Sequence, residues 1–180
     1  MMPVGPLMTE HRVIERMINV MNKGKEQIDK KQRIKPEMVP VFVDFIRVYA
    51  DRLHHGKEED ILFRELKKKS LSPEHKKTME ELVEEHKWGR KKVKVLMNSH
   101  RKYQQGDKNE LETISRILKE LIVFYPKHIE KEDKNFFIPV MEYFSAQEQQ
   151  EILEEEKEFD KDFVHKVYGE KIEETEKIIS

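Results

Sequence analysis

Apolar residues recur at intervals of three and four along almost the whole chain, and the alternation typical of strands is hard to find. Such spacing places the apolar side chains on one face of an α-helix. Glycine, which would interrupt helices, accounts for 6 of the 180 residues. The sequence therefore predicts an all-α protein, with a length typical of one domain that buries a sizeable core.

Breaks in the apolar pattern divide the chain into four long helices and a shorter fifth. Pro36 suits the first turn of the second helix, and Ser72 followed by Pro73 suits the start of the third. Gly106 suits the end of the third helix, and Pro126 predicts a kink in the fourth. We expect helices at about 6–29, 36–69, 73–104 and 108–138, and a fifth from about 145.

Short connections between long helices favour an up-down-up-down four-helix bundle. The expected architecture is this bundle with an additional short C-terminal helix, together covering residues 1–156. A charged, helical C-terminal tail covers residues 157–180.

Composition excludes several classes of function. The chain has no cysteine, so any metal must be held by histidine and carboxylate. A net charge of −1 gives no electrostatic reason to expect nucleic acid or an anionic membrane as a partner. No secretion signal and no apolar run of membrane-spanning length is found, so the cytoplasm is the expected compartment.

Three helices carry a histidine where the helical period calls for an apolar residue. These are His11 on the first helix, His86 on the third and His128 on the fourth. The fourth apolar stripe also contains Glu132, and a buried carboxylate costs several kcal/mol unless it is paired or bound to metal. A single histidine on an apolar face is more often a core residue than a ligand. A metal site is indicated only because several helices each bring a histidine inward and some also carry an acid on the same face.

The second helix contributes "HHGKEEDILF" at 54–63, which closely matches "HIEKEDKNFF" at 128–137. Its helical phase puts His54 at the edge of the apolar face and turns His55 toward the polar side. This favours His54 with Glu58 over the alternative, His55 with Glu59, because residues four apart share a face. The histidines at 75, 100 and 165 are not expected to belong to the same site.

Four histidines and two glutamates suit iron, manganese or zinc. Six side chains exceed the needs of one tetrahedral zinc ion and fit two metals bridged by carboxylates. The Glu-x-x-His spacing of ferritin-like sites is missing, because here each acid follows its histidine by four.

Four motifs in order, "EHRVIERM", "HHGKEEDILF", "EEHKWGRKK" and "HIEKEDKNFFIP", resemble the hemerythrin-like, or HHE cation-binding, domain family over about residues 5–155. The resemblance implies a four-helix bundle with a non-haem centre of two iron ions (Fe2+/Fe3+), for which zinc or manganese could substitute. It also implies that two carboxylates bridge the irons. The metal ligands it implies are His11, His54, Glu58, His86, His128 and Glu132.

Two positions depart from the oxygen-carrying members of the family. Those members have a second histidine one turn after the ligand of the third helix, where this chain has Arg90. They also use an acid five residues after the last histidine, which here is Asp133. We prefer Glu132, which continues the apolar stripe, and Asp133 remains the alternative.

The resemblance implies a protein that binds or senses O2, peroxide or NO rather than a classical enzyme. Tyr125 could hydrogen-bond such a ligand. A first alternative is repair of iron–sulfur clusters or detoxification of NO or peroxide. A second is a non-catalytic helical interaction module whose histidines are core residues. The sequence identifies no redox partner.

Overall fold

The computed structural model describes the backbone of residues 2–179 and the side chains of residues 2–163 and 167. Within this part of the chain every regular element is a helix, and there is no strand. The all-α prediction is confirmed. None of the helices among these residues is long and apolar enough to cross a membrane.

Five helical segments follow one another. Three are uninterrupted α-helices: α1 at Val4–Lys31, α3 at Pro73–Gln104 and α5 at Ala146–Ile179. The other two, α2 and α4, change helix type along their length. Segment α2 consists of α-helical Met38–Phe45, π-helical Ile46–His55 and Glu58–Leu62, and α-helical Phe63–Leu66. Segment α4 consists of α-helical Glu110–Glu130, π-helical Lys131–Phe136, α-helical Phe137–Val140 and a 3-10 turn at Met141–Tyr143.

The helix boundaries agree with the sequence prediction to within a few residues. The Ser72 side chain caps α3 by accepting a hydrogen bond of 3.1 Å from the backbone N–H of His75. Gly106 follows the end of α3 with a φ of 104°, a left-handed conformation that favours glycine. Pro126 lies inside Glu110–Glu130, and the kink and the up-down order of the helices remain predictions.

A layer of buried histidines lies between two apolar clusters. On α1, Leu7 belongs to one cluster and Ile14 to the other, with His11 between them. On α3, Leu82 and Val93 flank His86 in the same way. The bundle therefore carries polar side chains across its middle, with apolar packing on both sides.

The fifth helix covers α2 near this layer. The ring of Phe159 packs so closely on Gly56 that a Cβ atom there would lie 2.9 Å from its Cζ atom. Glu155 accepts two hydrogen bonds, of 2.8 and 2.6 Å, from Arg64. We expected a short fifth helix followed by a tail, whereas α5 runs unbroken across residues 156 and 157. The division into bundle and tail stays a prediction.

Candidate metal centre

Helix α2 buries two consecutive histidines, with 1% of His54 and 3% of His55 exposed. An α-helix would turn His55 toward the polar side, and that expectation is wrong for this segment. Here the backbone is π-helical, and the N–H of Gly56 donates to the carbonyl of Asp51 five residues earlier. Each turn then contains more residues than an α-helical turn, so neighbouring side chains lie closer to the same face.

The buried side chains form two groups, and in each the potential ligand atoms lie within 4.8 Å of one another. One group contains three histidines, His55, His86 and His128. The second contains two histidines and two glutamates, His11, His54, Glu58 and Glu132. All four helices of the predicted bundle contribute at least one member.

Glu58 and Glu132 each reach both groups. The Oε1 atom of Glu58 lies 3.3 Å from Nε2 of His54, and its Oε2 atom lies 3.3 Å from Nε2 of His86. Glu132 has the same arrangement: Oε2 is 3.2 Å from Nε2 of His11, and Oε1 is 3.2 Å from Nε2 of His128. Both carboxylates are fully buried. Each therefore stands between a three-histidine position and a two-histidine position.

The inward-facing atoms have no hydrogen-bond partner. This holds for both carboxylate oxygens of Glu58 and of Glu132, and for the Nε2 atoms of His11, His54, His86 and His128. Leaving a buried polar atom unpartnered costs about 1–3 kcal/mol, so these eight atoms need either protons shared between histidine and carboxylate or metal ions. Metal ions would satisfy all of them at once, because imidazole nitrogen and carboxylate oxygen are common ligands of iron, manganese and zinc.

On the outer side of the histidines, four hydrogen bonds link the helices in a closed ring. Each runs between a carboxylate of one helix and the Nδ1 atom of a histidine on the next, at 2.7–2.9 Å. The pairs are Glu10 of α1 with His54, Glu59 of α2 with His86, Glu85 of α3 with His128, and Asp133 of α4 with His11. A carboxylate that accepts from Nδ1 fixes the ring tautomer that presents Nε2 to a metal.

His55 is held within its own helix, where Nδ1 lies 3.3 Å from Asp51. Its ring stacks on that of His86, with centroids 3.8 Å apart. Burial lowers the pKa of His55, and the neighbouring His86 lowers it further. His55 is therefore the member of the layer that burial keeps neutral, and a neutral imidazole is the form that binds metal.

Cations stand behind the acids of the ring. Arg90 donates to Glu59 at 2.6 Å, and Lys131 donates to Glu85 at 2.5 Å. Lys57 and Arg12 likewise contact Glu10 and Asp133. Partial burial opposes ionisation, but the imidazole and cation partners outweigh it and lower the pKa of Glu10, Glu59 and Glu85.

In the metal-free protein, protonated histidines balance the negative charge of the buried carboxylates. Burial lowers the pKa of His11, but Asp133 and Glu132 outweigh it and raise the pKa to about 9. Burial also opposes the charge on His128, yet Glu132 and Glu85 raise its pKa to about 10. A metal ion would replace these protons, because a histidine must be neutral to bind it.

The sequence profile of the hemerythrin HHE cation binding domain matches residues 2–140. The chain belongs to the hemerythrin HHE cation-binding domain family. No curated protein and no solved structure matched the chain. Membership in this family implies that the hemerythrin domain binds a metal cation, and the two groups of histidine and glutamate are the side chains able to do so.

Every predicted ligand of the hemerythrin domain lies in the buried layer: His11, His54, Glu58, His86, His128 and Glu132. The sequence analysis treated His55 as an alternative to His54, whereas both lie in the layer, and the doublet "HH" was the signal for both. Arg90 does not enter the layer, because its guanidinium pairs with Asp51 and Glu59. The alternatives Glu59 and Asp133 belong to the outer ring.

The other histidines lie apart from the layer. The Nδ1 atom of His75 lies 2.9 Å from the hydroxyl of Tyr143. His100 is buried near the far end of α3 and belongs to neither group. The side chain of His165 lies outside the described residues.

Proposed function

We propose that this protein is a non-haem di-iron protein of hemerythrin type that binds or senses O2, peroxide or NO. The first metal position has three imidazole nitrogens, and the second has two. Glu58 and Glu132 would each contribute a ligand atom to both positions. The observation that carries the proposal is that each bridging carboxylate directs one unpartnered oxygen to each group.

The composition of the site favours iron over zinc. Five imidazoles and two bridging carboxylates provide more ligand atoms than two tetrahedral zinc ions accept from a protein site with open positions. Manganese and zinc would bind as substitutes when iron is scarce. When bound, two ferrous ions would supply two electrons to a small oxidant.

The surrounding residues hold the centre and limit its exposure. The outer acids keep the histidine rings in one tautomer, and the apolar clusters on both sides keep bulk water away from the layer. Of the side chains near the three-histidine position, Tyr125 is 2% exposed and carries a hydroxyl able to donate a hydrogen bond. These features suit the reversible binding of a small ligand in the cytoplasm.

The test is the iron content of protein purified without oxygen. We expect two iron atoms per chain, measured by mass spectrometry of the dissolved metal together with protein concentration. One iron per chain, or tight zinc with no uptake of iron, would contradict the di-iron proposal. Protein that takes up no metal at all would instead favour a helical interaction module.

Turnover distinguishes a binding protein from a repair or detoxification protein with the same centre. We expect the iron-loaded protein to change its absorption spectrum on addition of O2 or NO, without consuming peroxide or NO in steady state. Sustained consumption with an added electron donor would assign the enzymatic alternative.

A further inference from the structure

A chain of three polar contacts joins helix α5 to His54. The Nδ1 atom of His54 lies 2.9 Å from Oε2 of Glu10, and the other oxygen of Glu10 accepts a hydrogen bond from the ammonium group of Lys57. The same ammonium nitrogen lies 2.7 Å from Oδ1 of Asp160, on α5. Helix α5 is therefore linked to a histidine of the layer through α1 and α2.

Lys57 is the centre of this chain of contacts, because its side chain is fully buried. A buried ammonium group is cut off from water and needs carboxylates as partners. Glu10 and Asp160 are such partners, and Phe159 packs over Gly56, the residue before Lys57. Helix α5 thus covers the lysine and also supplies a negative charge to it.

The fourth helix carries a matching lysine that does not depend on α5. Lys131 follows its histidine by three residues, as Lys57 does. It donates to Glu85, the acid that holds the Nδ1 atom of His128. It also lies 3.5 Å from Glu81 of α3, and 28% of its side chain is exposed. The α3–α4 half of the layer therefore finds its acids within the bundle, whereas the α1–α2 half uses an acid of α5.

We propose that Asp160 is a positioning residue for the metal position that contains His54. This inference rests on the proposed metal centre, and it gives a role to a helix that begins at Ala146, beyond the residues 2–140 that match the family.

The effect of Asp160 on His54 follows from how Glu10 divides its charge. One oxygen of Glu10 serves Lys57 and the other serves His54. A carboxylate at Asp160 offsets part of the ammonium charge, so that Glu10 remains a strong acceptor for Nδ1 of the histidine. A strong acceptor at Nδ1 fixes the ring and makes Nε2 a better metal ligand. Because coupling between two sites is reciprocal, metal should in turn hold α5 more firmly on α2.

The first test is the affinity for ferrous iron, measured at pH 7 without oxygen by competition with a chelator. We expect Asp160→Asn to bind one of its two iron ions at least about fivefold more weakly than the parent, the lower end of ordinary coupling between sites. Asp160→Glu keeps the charge and should recover most of the affinity. Equal affinities of the parent and Asp160→Asn would overturn the inference.

Glu155→Gln is the matched control on the same helix. It removes an ion pair between α5 and Arg64, a residue about two turns along α2 from Lys57. The exposed fractions of the two acids are similar, 46% for Glu155 and 44% for Asp160. We expect this variant to keep the iron affinity of the parent. An equal loss in both variants would mean that any loosening of α5 weakens the metal, which would overturn the specific role of Asp160.

Hydrogen exchange of the backbone amides of α5 measures the reciprocal effect. Iron should slow exchange across residues 152–160 of the parent and of Glu155→Gln, and should slow it less in Asp160→Asn. A purely structural contact would change the exchange rates of the variant equally with and without iron. The same slowing by iron in all three proteins would contradict the coupling.

Nuclear magnetic resonance of the metal-free protein separates this inference from the proposed function. The ring 15N resonances of His54 should move in Asp160→Asn and stay in place in Glu155→Gln. If the parent takes up no iron and the resonances still move, the di-iron proposal fails and the link from α5 to His54 stands. If the parent takes up two irons while the resonances and the iron affinity of Asp160→Asn are unchanged, the link fails alone.

Discussion

Each histidine of the layer uses its two ring nitrogens for different purposes. In His54, for example, Nε2 faces Glu58 in the interior, while Nδ1 pairs with Glu10 at 2.9 Å. The inner nitrogen is thus available to a metal, and the outer one determines ring orientation and tautomer. Substitutions on the two sides of the rings should therefore have different consequences.

Replacing His55 tests whether the π-helical turn brings a functional ligand into the layer. We expect His55→Ala to lower the iron content below two per chain, because the three-histidine position would lose one nitrogen. His75→Ala, at a histidine far from the layer, should leave the iron content unchanged. Full iron content in the His55 variant would show that His55 is only a packing residue.

Removing an outer acid should weaken metal binding without unfolding the protein. Glu85→Gln replaces the acceptor of His128 and should lower the metal affinity by about 10- to 100-fold. Its neighbour Glu84 is exposed and pairs with Lys87, so Glu84→Gln is the matched control. Competition with a chelator of known affinity measures the metal affinity of both variants. Equal metal affinities would show that the outer acids do not support metal binding.

Most of the inner side chains of the layer could be predicted from the sequence, but the outer ring could not. His86 and Glu132 interrupt apolar stripes, and such interruptions are visible in a helical pattern. The acids of the ring lie on polar faces of a chain with 39% charged residues, where nothing distinguishes Glu85 from Glu84. Each ring acid also pairs with a histidine on another helix, and such pairs appear only once the helices are packed.

At the scale of the elements, each of the two matching decapeptides contains a π-helical stretch. A π-helical stretch begins at Glu58 in the first and at Lys131, one residue before Glu132, in the second. Wider turns of this kind occur often at functional sites, where they redirect side chains. The helices themselves were predictable from their period, but a change of helix type over a single turn is too short to alter that period.

Helix α5 contributes a buried acid whose protonation should make stability depend on pH. Burial raises the pKa of Glu156 from 4.5 to about 8, although Lys57 opposes the shift. The folded protein thus holds a proton that the unfolded chain releases, and stability falls as the pH rises from about 4.5 to 8. Glu156→Gln cannot lose a proton, so it should exceed the parent in stability above this range by on the order of a few kcal/mol.

Urea unfolding of the metal-free protein at pH 5, 7 and 9 measures this difference. The advantage of Glu156→Gln should be small at pH 5, larger at pH 7 and largest at pH 9. Glu154→Gln, at an exposed position on the same helix, should show no such trend. A constant difference across the three pH values would mean that Glu156 is ionised in the folded protein.

At the scale of the whole molecule, the histidine layer provides a binding site but lowers the stability of the metal-free fold. It interrupts what would otherwise be one apolar core, and it buries two carboxylates and five imidazoles that lose their water on folding. A metal that binds the folded arrangement far better than the unfolded chain offsets this cost by mass action.

Removing metal should therefore lower the melting temperature by about 10 °C, which corresponds to about 4 kcal/mol at a metal concentration a thousand times the dissociation constant. Glu132→Gln in the metal-free protein should lower the melting temperature further, because it removes the buried counterion of protonated His11 and His128. Scanning calorimetry without oxygen, with chelator and with ferrous iron, measures both effects. Identical melting curves would refute a structural role of the metal.

The closed ring of acids and histidines also affects when the centre can form during protein synthesis. Its closing pair, His11 and Asp133, joins residues that are 122 positions apart. The second carboxylate that reaches both groups, Glu132, comes from the same turn of α4. A nascent chain on the ribosome therefore presents histidines long before it has both of these carboxylates. The complete centre can receive its metal only after translation of the fourth helix, as one of the last steps in maturation.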